Sequence, residues 1–234
     1  MAVLRGLLYM AVFFPLTFPI AAVAILSTLL DRRYYSWFAR FWGRLGIRLA
    51  ALKVTVSGAE HLPDGPIIVM SNHASNFDIL AMLGYFPRPL SWIAKEELFR
   101  IPVFGWSMRR GGYIPLDRGD GRKALKSMDQ AARLIKDGTS VIVFPEGTRT
   151  RNGRLLPFKR GGFLLAVKAG VPVVPVSISG SFAINPGGSL GLNLGKAVQI
   201  TIHPAVAIPE GLKRSEAEEL LMQQVEQAIS AGLV

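Results

Sequence analysis

The run Asn72-His73-Ala74-Ser75-Asn76-Phe77-Asp78 puts an imidazole and a carboxylate close together, a pairing that can move a proton. Asp78 is five positions beyond His73, one more than the helical i,i+4 repeat, so a turn must fold back before the carboxylate reaches a ring nitrogen. If it does, the acid fixes the tautomer and leaves the second nitrogen free to act as a base. The chain has no cysteine, and no serine stands in a G-x-S-x-G elbow. The proton is therefore expected to come from a substrate hydroxyl. The competing reading makes Asp78 a helix cap and His73 a turn residue bonded to backbone.

Two further polar clusters stand in the same relation to an apolar run. Asp117-Arg118 follows residues 113–116, and Pro145-Glu146-Gly147-Thr148-Arg149 follows residues 140–144. Open parallel sheets bind ligands beyond the carboxyl ends of their strands, so all three clusters are expected in one crevice. Arg118 and Arg149 carry guanidinium forks that match a phosphate, and Gly147 lets backbone N–H groups come close to one. Glu146 could orient an arginine or hold a substrate hydroxyl; read alone, it is a carboxylate at a helix N-terminus. Together these describe a receptor for a phosphorylated alcohol beside a base. His61 and His203 fall outside the clusters and read as structural residues, and nothing calls for a metal.

The elements that must position these groups are short. Strands are predicted at residues 54–56, 67–70, 90–94, 113–116, 140–144, 173–178 and 198–202, with Gly, Pro and Asp between them. A helix begins after residues 67–70 with Ser75 or Asn76 as its cap. Helical periodicity runs from Ala124 to Ile135, ending at Gly138, and a C-terminal helix opens with Ser215 and Glu218 as a capping box. Strand alternating with helix predicts an α/β fold with a mostly parallel twisted sheet flanked by helices. Residues 185–195 read as a glycine-rich connecting loop.

Residues 6–30 contain no charged side chain. As one helix they would reach about 37 Å, enough for a hydrocarbon core of about 30 Å. Pro15 and Pro19 each delete a helical hydrogen bond, so a bent span and a re-entrant hairpin are both open. A cleaved signal peptide with Arg5 as its n-region is a third reading. Arginines and aromatics then interleave from Arg32 to Lys53. Such a helix lies in the headgroup layer and places the catalytic part on the cytoplasmic face of the membrane; alternatively, its aromatics pack into the core around Gly43 and Gly46. The division expected is residues 1–50 as membrane-associating helices and 51–234 as the α/β domain.

The formal charge is +11, from 27 Lys and Arg against 16 Asp and Glu, and half the residues are hydrophobic. That balance suits an anionic phospholipid surface and anionic substrates. A nucleic-acid partner is not expected, since no groove-reading motif interrupts the apolar segments.

Four blocks resemble those of the lysophosphatidate (1-acylglycerol-3-phosphate) acyltransferases, within the glycerolipid acyltransferase superfamily. Asn72 to Asp78 is similar to the family's N-H-x4-D block, and Gly112-Tyr113-Ile114-Pro115-Leu116-Asp117-Arg118 to its second. Phe144-Pro145-Glu146-Gly147-Thr148-Arg149 and Val171-Pro172-Val173-Val174-Pro175-Val176 resemble the third and fourth, in the same order. The resemblance implies His73 as general base and Asp78 as its partner, with Arg118, Glu146, Gly147, Thr148 and Arg149 on the glycerol phosphate. It implies acyl transfer to the sn-2 hydroxyl of lysophosphatidate from acyl carrier protein or coenzyme A thioesters, with no other cofactor. Rival readings are an acyltransferase of the same superfamily with another acceptor, a non-catalytic membrane lipid-binding protein, and a phosphatase.

Overall fold

A computed structural model describes residues 1–117 and 121–233. Its elements, in chain order, are α1 (Ala2–Ser27), α2 (Tyr34–Leu49), β1 (Lys53–Ser57), β2 (Ile68–Ser71), α3 (Asn76–Tyr85), β3 (Ser91–Lys95) and α4 (Phe104–Arg110). These are followed by β4 (Ile114–Leu116), α5 (Gly121–Lys136), β5 (Val141–Val143), α6 (Arg160–Ala169), β6 (Val173–Ser179), α7 (Ser181–Ile184), β7 (Ala197–Ile202) and α8 (Arg214–Ala231). A strand forms within or across each run predicted from the sequence.

The strands make one sheet in the order β1-β7-β6-β2-β5-β3-β4. Neighbours are parallel except β6 and β7, which pair antiparallel from Val176↔Ile202 to Ser179↔Gln199. The alternating side chains of β2 show why helices cover both faces. Val69 packs with Phe77 and Leu80 of α3, whereas Ile68 and Met70 pack with Phe163 of α6, Ile135 of α5 and Leu221 of α8. Buried on both sides, β2 is a rigid base for the turn that follows it.

Helix α1 runs unbroken through Pro15 and Pro19. Thr17, between them, donates its hydroxyl to the Phe13 carbonyl at 3.0 Å and accepts the indole N–H of Trp42 at 2.9 Å, tying α1 to α2. Phe13 enters the same core as the sheet residues, while Leu4, Leu8, Phe14 and Leu26 remain more than half exposed. α1 is long and apolar enough to cross a membrane by length and composition.

Helix α2 presses against α3 through glycine. A Cβ on Gly43 would lie 2.7 Å from both the Gly84 nitrogen and the Leu80 carbonyl oxygen. The aromatics of α2 divide between the two alternatives read from the sequence: Tyr35 is buried, and Trp37 and Phe41 are exposed.

Two local expectations are corrected. α8 begins at Arg214, and the carboxylate turning back to its start is Glu216, which accepts from the Lys213 N–H at 3.2 Å. Glu218 instead pairs with Arg214 and Arg160. The glycine-rich loop is more than a connection: Leu192 donates its N–H to the Ala2 carbonyl at 3.0 Å, so the loop holds the start of α1.

Candidate active site

The turn between β2 and α3 is built from side chains that satisfy backbone groups. Asn72 accepts from the Ile178 N–H at 2.7 Å and donates to the Ile178 carbonyl at 2.9 Å, pinning the turn to β6. Ser75 is the N-cap of α3, accepting from the Phe77 N–H at 3.2 Å. Oδ2 of Asp78 accepts from the N–H groups of Ala74 at 2.7 Å and Ser75 at 2.8 Å, and it lies 2.9 Å from Nδ1 of His73. The chain therefore folds back as the spacing of His73 and Asp78 requires. Both readings of Asp78 hold together, since one oxygen caps the helix and meets the imidazole.

That geometry sets the tautomer. A carboxylate already accepting two N–H groups is an acceptor toward the ring, so Nδ1 of His73 carries a proton and donates it. Nε2 then keeps its lone pair. The Asp78 side chain is wholly buried, and that of His73 is 12% exposed, enough for a substrate to reach. The imidazole stacks on Phe144 at 3.9 Å between ring centroids and 6° between planes, which fixes its direction.

Glu146 has a different place from the one its sequence position suggests. Oε1 accepts from the His73 backbone N–H at 2.6 Å and Oε2 from the Leu156 N–H at 2.8 Å. Both oxygens accept from backbone, so Glu146 ties the base-bearing turn to the loop after β5. Burial, opposed by these two amides and helped by the charge of Asp78, holds its carboxyl above the ordinary glutamate range.

Gly147 adopts φ +72°, and its N–H donates to the Phe144 carbonyl at 3.0 Å. Its part is to make the turn after β5, with that N–H directed at a carbonyl. Thr148 is exposed. Nη1 of Arg149 donates to Asn76 Oδ1 at 2.7 Å, which sets the guanidinium over the first turn of α3. The structure thus gathers His73, Asp78, Glu146 and Arg149 at the carboxyl ends of β2 and β5. Arg118 lies outside the described residues. His61 bonds the Ile202 carbonyl and His203 bonds Ser177, both away from this cluster.

Three features had no reading in the sequence: the Asn72 pin, the Phe144 platform and the cavities beside the site. The two asparagines stand inside the first block, and their residue type was the only signal. An apolar cavity of about 290 Å³ lies among α1, α2, α3 and α4, walled by Ala21, Trp42, Ile79 and Met108. A second, of about 380 Å³, runs along α1 past Tyr9, Phe13 and Leu192. Both reach Asn76, the residue that holds Arg149.

Residues 53–179, more than half of the chain, match the family model described as Acyltransferase. A chloroplastic 1-acyl-sn-glycerol-3-phosphate acyltransferase of Brassica napus, BAT2, is 39% identical over 177 residues, covering 75% of this chain and 51% of that protein. A 1-acyl-sn-glycerol-3-phosphate acyltransferase of Pseudomonas aeruginosa is 37% identical over 151 residues, covering 62% of this chain and 58% of its own length. The chain spans about half the length of the curated relatives it matches. A crystal structure of the 1-acyl-sn-glycerophosphate acyltransferase PlsC from Thermotoga maritima superposes with a TM-score of 0.79 at 32% identity, covering 97% of each chain.

Proposed function

The chain belongs to the acyltransferase family, and we propose that it transfers a fatty acyl group from a thioester to the sn-2 hydroxyl of lysophosphatidate, making phosphatidate for phospholipid biosynthesis. The observation that carries this reading is the His73–Asp78 pair at 2.9 Å, with Nε2 left as a base in a partly open site.

Nε2 of His73 takes the hydroxyl proton as the alcohol oxygen attacks the thioester carbonyl. The carbon–sulfur bond then breaks, and the proton passes from the imidazolium to the departing thiolate. No acyl-enzyme is required. Positioned base catalysis supplies roughly 10²–10⁴-fold, so most of the acceleration comes from holding two substrates together and stabilising the developing oxyanion. Arg149, with Arg118, grips the acceptor phosphate. The apolar cavities at Asn76 receive acyl chains, and the exposed apolar side of α1 rests in a phospholipid surface. The arginines that follow α1 favour the cytoplasmic face. Acyl carrier protein and coenzyme A thioesters both fit a chain of charge +11 as donors.

The test is thiol release by the full chain in detergent, using both donors against lysophosphatidate, glycerol 3-phosphate and other lysophospholipids. Turnover selective for lysophosphatidate supports the reading. Selectivity for another acceptor moves the chain to a sister activity, and acceptor-independent binding without thiol release makes it a lipid-binding protein. Release of inorganic phosphate in place of thiol identifies a phosphatase.

A further inference from the structure

At the opposite end of the sheet from His73, a cleft of about 670 Å³ opens where the α1–α2 connection meets the amino ends of β3 and β5. Arg32, Arg33, Arg40 and Arg88 line it, and no carboxylate does among its described lining residues. Asp31, the acid nearest in sequence, is spent on Arg33 at 2.7 Å. Arg88 is held rigid by the carbonyls of Gly65, at 2.8 Å, and Pro63. Arg40 is half-buried; its desolvation, together with nearby Arg44, makes its charge costly. A guanidinium keeps its charge here, so an anion entering the cleft would meet a fixed cation.

The surroundings narrow the anion's source. Trp37, at the rim, is 69% exposed, and Leu29 and Leu30 at the end of α1 are 68% and 84% exposed. Bare leucines directly before Arg32 in the chain and an exposed tryptophan at the rim give the basic cleft an apolar border, as acyl tails border phosphate in a leaflet. The cleft thus offers a rigidly held arginine, a half-buried one and an exposed tryptophan at its rim.

We propose that this cleft binds the phosphate of an anionic phospholipid, separately from the acceptor site at Arg149. Because α2 supplies Arg40 and the sheet side supplies Arg88, one bound headgroup pins the helix pair to the sheet. The site does not depend on the acyl-transfer reading.

The experiment is calorimetric titration of the detergent-solubilised full chain with dihexanoyl phosphatidylglycerol, in parallel with dihexanoyl phosphatidylcholine and inorganic phosphate. The anionic lipid should bind at least about tenfold more tightly than either, as charge-assisted arginine contacts require. Arg32→Glu with Arg40→Gln should weaken it about tenfold or more, whereas Arg149→Ala should leave it unchanged. If the double variant misfolds by circular dichroism, Arg32→Glu alone, on an exposed residue, should still weaken binding several-fold. Equal binding of the two lipids, equal binding of inorganic phosphate, unaltered affinity in the arginine variants, or a loss confined to Arg149→Ala would each overturn the assignment.

Discussion

One carboxylate oxygen of Asp78, Oδ2, closes the first turn of its own helix and lies 2.9 Å from Nδ1 of His73. The orientation of the base is therefore inseparable from the start of α3, and substitutions can disturb either partner or the frame that joins them.

Asp78→Asn keeps the shape of the side chain but can present an amide N–H to the ring, favouring the wrong tautomer. The expected result is a fall in kcat of about 10²–10⁴-fold with circular dichroism close to the parent's. Parent-like turnover would show that the carboxylate is only a cap.

Glu146→Gln has one acceptor oxygen for two amides, those of His73 and Leu156. Stability should fall by about 1–3 kcal/mol, and kcat should fall with acceptor KM little changed. The raised carboxyl also sets a pH dependence. Glu146 binds its proton more readily folded than unfolded, so its contribution to stability is full below the ordinary glutamate range and is lost as pH rises through the raised folded value. In urea titrations, the parent's stability relative to Glu146→Gln should therefore be higher at about pH 4 than at about pH 8. A difference independent of pH would contradict the raised value.

Gly43→Ala tests whether helix packing reaches the site. Its Cβ would meet Gly84 and Leu80 backbone at 2.7 Å, so α2 and α3 must separate slightly. Overpacking of this kind costs about 1–3 kcal/mol. Because α3 carries Asp78, kcat should fall together with thermal stability; the expected loss of stability with kcat intact would uncouple them.

Arg149→Ala should act mainly on the acceptor. Removal of a guanidinium that grips a phosphate should raise the KM for lysophosphatidate by about tenfold or more, with a smaller change in donor KM. If acceptor KM and rate both stay at the parent's values, Arg149 is a support for Asn76 and no phosphate ligand.

Local pattern and spacing made much of this legible. The seven short strands could be read because apolar runs were cut by Gly, Pro and Asp, and the fold-back at Asp78 follows from one residue too many for a helical repeat. The mostly parallel sheet was legible, but its one reversal was not: the direction of β7 against β6 depends on where the 185–195 loop goes, and that loop is held by Ala2 at the far end of the chain. Helix α1 runs on through both prolines, and the Trp42 indole bonds Thr17 between the two rings, a tertiary contact that the local pattern does not show. The backbone partners of Glu146 were hidden for a related reason. A carboxylate in a polar turn suggests a substrate contact, and only three-dimensional neighbours reveal that it also accepts from two backbone amides. The same holds for Phe144, whose stacking on His73 has no signature in spacing.

The central claim is that Nε2 of His73 removes the proton of the acceptor hydroxyl. Its most direct test is the initial rate of thiol release with lysophosphatidate by His73→Ala, against the parent, after matched folding by circular dichroism. The account expects a loss of about 10²–10⁴-fold in kcat with both KM values within a few-fold of the parent's. Comparable turnover by the folded variant would contradict it.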